Sequence, residues 1–150
     1  MITAKILKAS SKDIRKIIDI EELSYKDPWP REVFIMDYLF NSSALYYIAK
    51  TKNKIVGFIG IWLESTRLHI INVAVHPEYR NEGVGTQLLL FAIDYAKERK
   101  FKEVSLEVRK SNENAIRLYK KLGFEVVEDL KAYYQDGEDG YRLFKNIEET

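Results

Sequence analysis

The chain has 150 residues, 46% of them hydrophobic, and its 24 basic residues nearly cancel its 23 acidic ones. That length suits one domain, residues 1–150, able to bury about 70% of its unfolded surface, and the charge balance argues against nucleic acid or an anionic membrane as partner. The absence of cysteine excludes disulfides, thiolate metal sites and a cysteine nucleophile.

The first residues, MITAKILKASSKDIRK, lack the apolar core of a signal peptide. No apolar run approaches the ~18 residues of a membrane span, so a soluble, cytoplasmic protein is expected. Ala4 to Lys8 reads as a short strand. Ser10 or Ser11 then caps a helix carrying Ile14, Ile17 and Ile18 at helical spacing and running to about Ser24. Lys26-Asp-Pro-Trp-Pro30 breaks it, because residues before proline avoid the helical region. Pro30 suits the first turn of a second helix, about Arg31 to Phe40.

Ala44 to Lys50 and Lys54 to Leu63 read as strands of an antiparallel hairpin turning at Lys52-Asn53. A further strand, His69 to His76, runs into a glycine turn and a helix to about Lys100. Its apolar stripe is Val84, Leu88, Phe91, Ala92 and Tyr95. The strand Val104 to Val108 follows this crossover and so lies parallel to the His69 strand. Asn112 caps another helix, with Ala115, Leu118, Tyr119 and Leu122 on one face and Gly123 at its end. Strands at about Phe124 to Leu130 and Gly140 to Phe144 close the chain. The expected class is α+β or α/β, with a mixed sheet.

The turn in HIINVAVHPEYRNEGVGTQLLL carries the first chemical signal. A helix N-terminus exposes unpaired N–H groups and the positive end of the dipole. Behind a strand and a glycine turn it makes an anion cradle. Gly83 and Gly85 open the backbone to a phosphate and Arg80 adds a charged donor. The spacing R-x-x-G-x-G matches neither the dinucleotide fingerprint nor the P-loop, and the glycines could instead serve only a tight turn.

RNEGVG opening a helix, LEVRKSN on the next strand and AIRLYKKLGF on the next helix resemble the GCN5-related N-acetyltransferase (GNAT) superfamily. Within it, the chain is similar to the RimI-type N-terminal acetyltransferases, and KAYYQDGEDGY is similar to the catalytic subunit of the N-terminal acetyltransferase A complex. The resemblance covers nearly the whole chain. It implies a mostly antiparallel sheet whose central parallel strand pair splays at an acetyl-CoA cleft, with helices on both faces. Val73, Ala74 and Val75 would pair with the pantetheine and Arg80, Asn81, Glu82, Gly83, Val84, Gly85 and Thr86 would hold the pyrophosphate. Asn112, Tyr119, Lys120 and Lys121 would flank the rest of the cofactor, and nothing in the scheme requires a metal.

Glu107 stands out on physical grounds, because a central parallel strand buried on both faces should be continuously apolar. It is either a solvated or capped glutamate or a general base whose pKa desolvation raises; the resemblance implies the base. Tyr119 is a core aromatic by its helix face, and the resemblance implies the acid that protonates the departing thiolate. His69, on the adjacent strand, is a structural residue, a helper base or half of a two-ligand metal contact with Glu107.

The resemblance also implies that Tyr133 and Tyr134 grip the peptide N-terminus, with Trp29 in the opposite wall. Lys26-Asp-Pro-Trp-Pro30 is nearer the RimI pattern than the P-E-N-Y pattern of the complex subunit. The expected reaction is acetyl transfer to protein or peptide α-amines by direct attack, with the ribosome or ribosomal proteins as partners. An acetyltransferase of lysine or small amines, and a non-catalytic CoA-binding subunit, are the alternatives.

Overall fold

The computed structural model describes residues 1–147. Among these, seven strands form one sheet: β1 (Lys5–Lys8), β2 (Ala44–Thr51), β3 (Lys54–Glu64), β4 (Arg67–Val75), β5 (Glu103–Arg109), β6 (Glu125–Leu130) and β7 (Gly140–Asn146), in the order β1-β2-β3-β4-β5-β7-β6. Only β4 and β5 run parallel; the other pairs are antiparallel. Helices α1 (Ile14–Ser24) and α2 (Arg31–Phe40) pack on one face, α3 (Val84–Glu98) and α4 (Glu113–Lys121) on the other. The expected mixed sheet with helices on both faces is the fold that forms.

Local chemistry sets most boundaries. Lys52 and Asn53 both adopt positive φ, 49° and 64°, which matches the twist a two-residue hairpin turn requires. Asp13 accepts from the Ser10 amide and hydroxyl where the first helical segment starts. Asn112 caps α4 through the Ala115 amide, and Gly123, at φ +97°, follows its end.

The buried stripe of α3 is broader than the spacing suggested. Leu89, Ile93 and Ala96 are buried beside Val84, Leu88 and Ala92, whereas Phe91 and Tyr95 are half-buried and stack on Tyr47 of β2. The helix lies over β3, β4 and β5, so Phe91 and Tyr95 fall on its flank toward β2.

The pairing of β4 with β5 stops at Ile70–Leu106. On the other side of β4, Ile61 pairs with Ile70 and Gly60 with Asn72, leaving Ile71 as an extra residue. Such a bulge bends and re-aims a strand. Beyond it, Val73 and Val75 pack toward α3 while Ala74 packs toward α1 and α2. Among the described residues, that edge of β4 then has no strand partner.

Strand β5 overturns one expectation. It is not apolar on both faces: Val104, Leu106 and Val108 enter the α3-side core, and Ser105, Glu107 and Arg109 alternate onto the other face. The helices on that side stop short of β5, and Glu107 and Arg109 line a cleft.

Candidate active site

The cleft follows from the splay. Its two halves share Tyr25, Val73, Asn112 and Tyr119. The larger half, about 640 Å³, runs along Val73–Val75 past Arg80 and Asn81 to Gly83–Thr86. The other, about 370 Å³, is bounded by Glu21, Trp29, Glu107, Arg109, Tyr133 and Tyr134. A groove leads on from Glu107 and the tyrosine pair past Trp62 to His69 and Arg142.

The two glycines of the turn differ in purpose. Gly83 sits at φ +86°, where any side chain is strained, and a Cβ would come 2.5 Å from the Met1 side chain. Gly85 has ordinary backbone angles, and a Cβ there would meet nothing nearer than Val75 at 3.7 Å. The protein itself therefore tolerates a side chain at Gly85, and the bare backbone there leaves the α3 N-terminus open on the cleft side. The Arg80 Nε donates to the Val75 carbonyl, folding the side chain over the turn. Glu82 pairs with the Met1 amino group at 3.2 Å and lies off the cleft. Lys120 and Lys121 are exposed on the last turn of α4, also off it.

Two of the candidate residues, His69 and Glu107, lie in contact, and Arg142, which the sequence reading did not single out, joins them. The His69 Nε2 lies 3.0 Å from one Glu107 oxygen, and the Arg142 Nε donates to the other at 3.0 Å. A carboxylate only accepts, so the His69 hydrogen sits on Nε2, and in the neutral ring Nδ1 accepts from the Ser105 hydroxyl at 2.6 Å. Tyr119 enters from the opposite, α3-side face and packs edge-on against Phe124. Tyr133 and Tyr134 stand perpendicular to one another with centroids 5.1 Å apart. Trp29 faces them across the cleft, braced by Phe34 and Trp62. Among the described residues, no three His, Asp or Glu side chains converge on a metal position.

Residues 14–124 match the acetyltransferase (GNAT) family. The chain belongs to that family. It is 36% identical over 152 residues to an N-alpha-acetyltransferase of Sulfurisphaera tokodaii, covering 93% of this chain and 90% of the relative. It is 35% identical over 148 residues to an N-alpha-acetyltransferase of Saccharolobus solfataricus, covering 90% and 88%. The crystal structure of the ribosomal-protein-S18-alanine N-acetyltransferase from Escherichia coli superposes with a TM-score of 0.90 at 28% identity, over 99% of this chain and 96% of that one.

GNAT enzymes use acetyl-CoA, and the larger half of the cleft is the candidate site for it. The unpaired edge of β4 and the open backbone at Gly85 fit the pantetheine and pyrophosphate. Replacing Gly85 with valine should therefore leave the fold intact and weaken acetyl-CoA binding by roughly 100-fold, the order expected when several phosphate hydrogen bonds are lost. Calorimetry on the folded variant checks this, and unchanged affinity would remove the pyrophosphate from the turn.

The electrostatics of the other half correct the expectation for Glu107. Burial opposes its charge, but the His69 hydrogen bond and the Arg142 guanidinium outweigh that and hold its carboxyl below the usual 4.5. The raised carboxyl is Glu21 instead. Burial pushes it up against weaker pulls from the Asn72 side chain and the Trp29 amide, and its Oε1 has no hydrogen-bond partner among the described residues. Sequence reasoning missed it, although an acidic residue seven positions after Ile14 and four after Ile17 lies on the apolar stripe of α1. Tyr25 was missed as well. Its hydroxyl donates to the Val73 carbonyl on the unpaired edge.

Proposed function

We propose that the protein transfers the acetyl group of acetyl-CoA to the α-amino group of protein or peptide N-termini, ribosomal proteins among them, in a ternary complex. The enzyme is an N-terminal acetyltransferase. The observation that carries this reading is the acceptor chamber: a carboxylate held anionic at Glu107, roofed by Tyr133 and Tyr134 and faced by Trp29. The names of the relatives support it. Ribosomal proteins as substrates, and with them a cytoplasmic site of action, rest on the likeness to the Escherichia coli enzyme. No described helix is long and apolar enough to cross a membrane.

The chemistry follows from where the groups lie. An α-amine near pKa ~8 is about one-tenth neutral at pH 7, whereas a lysine amine near ~10.4 is neutral in under a thousandth of molecules. A carboxylate with a lowered pKa is a weak base, adequate for the first acceptor and poor for the second. The amine enters from the Glu107 face and its nitrogen attacks the thioester carbon. The C–N bond forms and the C–S bond breaks, with the oxyanion near the free edge of β4. The amine's proton passes to Glu107, directly or through water, since each of its oxygens already accepts one donor. Tyr119 meets the departing sulfur from the other face of the sheet.

Acceptor and donor contacts should separate by mutation. Changing Tyr133 and Tyr134 together to alanine should raise the peptide KM by roughly tenfold or more, the effect of losing two aromatic anchors, and leave the acetyl-CoA KM nearly unchanged. Steady-state kinetics over peptides differing in their first two residues, with a lysine-only peptide blocked at its α-amine, checks both claims. Equal losses for peptide and acetyl-CoA would mean general disruption of the cleft. Preferred turnover of the blocked lysine peptide would favour the lysine reading.

A further inference from the structure

Asp136 and Glu138 of KAYYQDGEDGY take no part in the chemistry above, yet they converge on one cation. Arg109, the last residue of β5, points onto the acceptor face. Its Nη1 lies 2.9 Å and 3.0 Å from the two Asp136 oxygens and 2.8 Å from Glu138 Oε1. Its Nη2 is 3.8 Å from Asp27, and its guanidinium sits 4.3 Å from the centroid of the Tyr134 ring. Asp136, Glu138 and Tyr134 belong to the loop between β6 and β7. Asp27 belongs to the loop between α1 and α2, two residues before Trp29.

We infer that Arg109 is a positioning residue for the acceptor, a latch that joins the two walls of the peptide entrance and sets the gap between Trp29 and the tyrosine pair. Among the described residues Arg109 makes the ion pairs that join the two loops at this end of β5, and Lys26 of the first loop adds only a longer-range attraction for Asp136. Without the guanidinium, Asp27, Asp136 and Glu138 lose the cation that contacts all three, the weaker pull of Lys26 on Asp136 remains, and repulsion between the walls favours their separation. The Tyr134 ring loses its planar support at the same time. Burial works against Arg109's charge, but Glu138 and Asp136 outweigh it and strengthen its hold on the proton.

Each contact alone is half-exposed and weak; the latch works because one planar fork makes several of them at once. Lysine cannot reproduce this, having neither the paired N–H geometry nor the flat face that stacks on Tyr134. The gap matters to acetyl transfer because the amine must reach Glu107 and the thioester together, so the proposal rests on the N-terminal reading for its kinetic consequence. Its structural consequence does not depend on any substrate.

The test combines hydrogen exchange with kinetics on Arg109→Met, Arg109→Lys and Asp27→Asn. In Arg109→Met the amides of residues 25–29 and 133–139 should exchange roughly five- to tenfold faster, as expected for opening of a locally stabilised segment, while the first turn of α3 stays unchanged. The peptide KM should rise by a similar factor with the acetyl-CoA KM within about twofold. Arg109→Lys should fall between wild type and methionine. Asp27→Asn, which cuts only the link to the first wall, should loosen residues 25–29 and raise the peptide KM less.

Faster exchange confined to residues 133–139, or in neither loop, overturns the latch, as does an acetyl-CoA KM raised as much as the peptide KM. If Arg109→Met does not fold, Asp27→Asn decides: unchanged exchange and unchanged peptide KM reject the proposal. A wild-type enzyme that acetylates no peptide N-terminus would refute the N-terminal reading, and the exchange measurements would still judge the latch.

Discussion

Glu107→Gln should lower kcat by about 10²–10⁴, the range for loss of a general acid or base, and leave acetyl-CoA affinity intact. Glutamine keeps the shape and can still accept from Arg142, but it carries no charge to attract an ammonium and takes up no proton. The pH dependence sharpens the expectation. With its folded pKa held below 4.5 by His69 and Arg142 against burial, Glu107 is ionised throughout the neutral range and loses its charge only as pH falls through that lowered value. The rise of wild-type activity between pH 6 and 9 should then track deprotonation of the acceptor amine near ~8. The deficit of Glu107→Gln should shrink along the same rise, because the amine arrives neutral unaided. His69→Ala, which removes one of two supports, should cost less. Near-normal kcat in Glu107→Gln with loss in His69→Ala would move the base to His69.

The contrast between Glu107 and Glu21 marks what the sequence could convey. That a glutamate stands out in VSLEV is visible from alternation alone. Its pKa is not, because the two groups that set it come from β4 and β7, 38 and 35 residues away. Glu21 was hidden for the opposite reason: in IDIEELS a charged residue among others looks solvated until the fold places it under Asn72 and Trp29. The Lys52-Asn53 turn, the break at Pro28 and Pro30 and the Asn112 cap were legible because their causes are local. The bulge at Ile71 was not, since it exists only as a mismatch of register with β3. Yet that bulge marks where the strands part. In the same way the acidic loop after Tyr134 acquires meaning only from Arg109 on another strand.

Tyr119→Phe should lower kcat by about 10²–10³, within the range for a lost general acid, with the contact to Phe124 and the fold preserved. Burial pushes the Tyr119 hydroxyl up to about 12, while an alkyl thiol titrates near ~8.5. Outright transfer of the phenolic proton to a free thiolate is thus uphill by roughly three powers of ten. Tyr119 serves the departing sulfur first as a hydrogen-bond donor, when negative charge develops in a site poor in water. It completes the transfer only as its own proton is replaced. A pKa near 12 also keeps the hydroxyl protonated at every pH from 6 to 9, so the deficit of Tyr119→Phe should be flat across that range. Glu107→Gln should recover with rising pH over the same interval. Parallel pH–kcat profiles of the two variants separate an acid on the thiol side of the sheet from a base on the amine side. A Tyr119→Phe deficit that closes at high pH, in step with Glu107→Gln, would place both residues on one proton path from the amine.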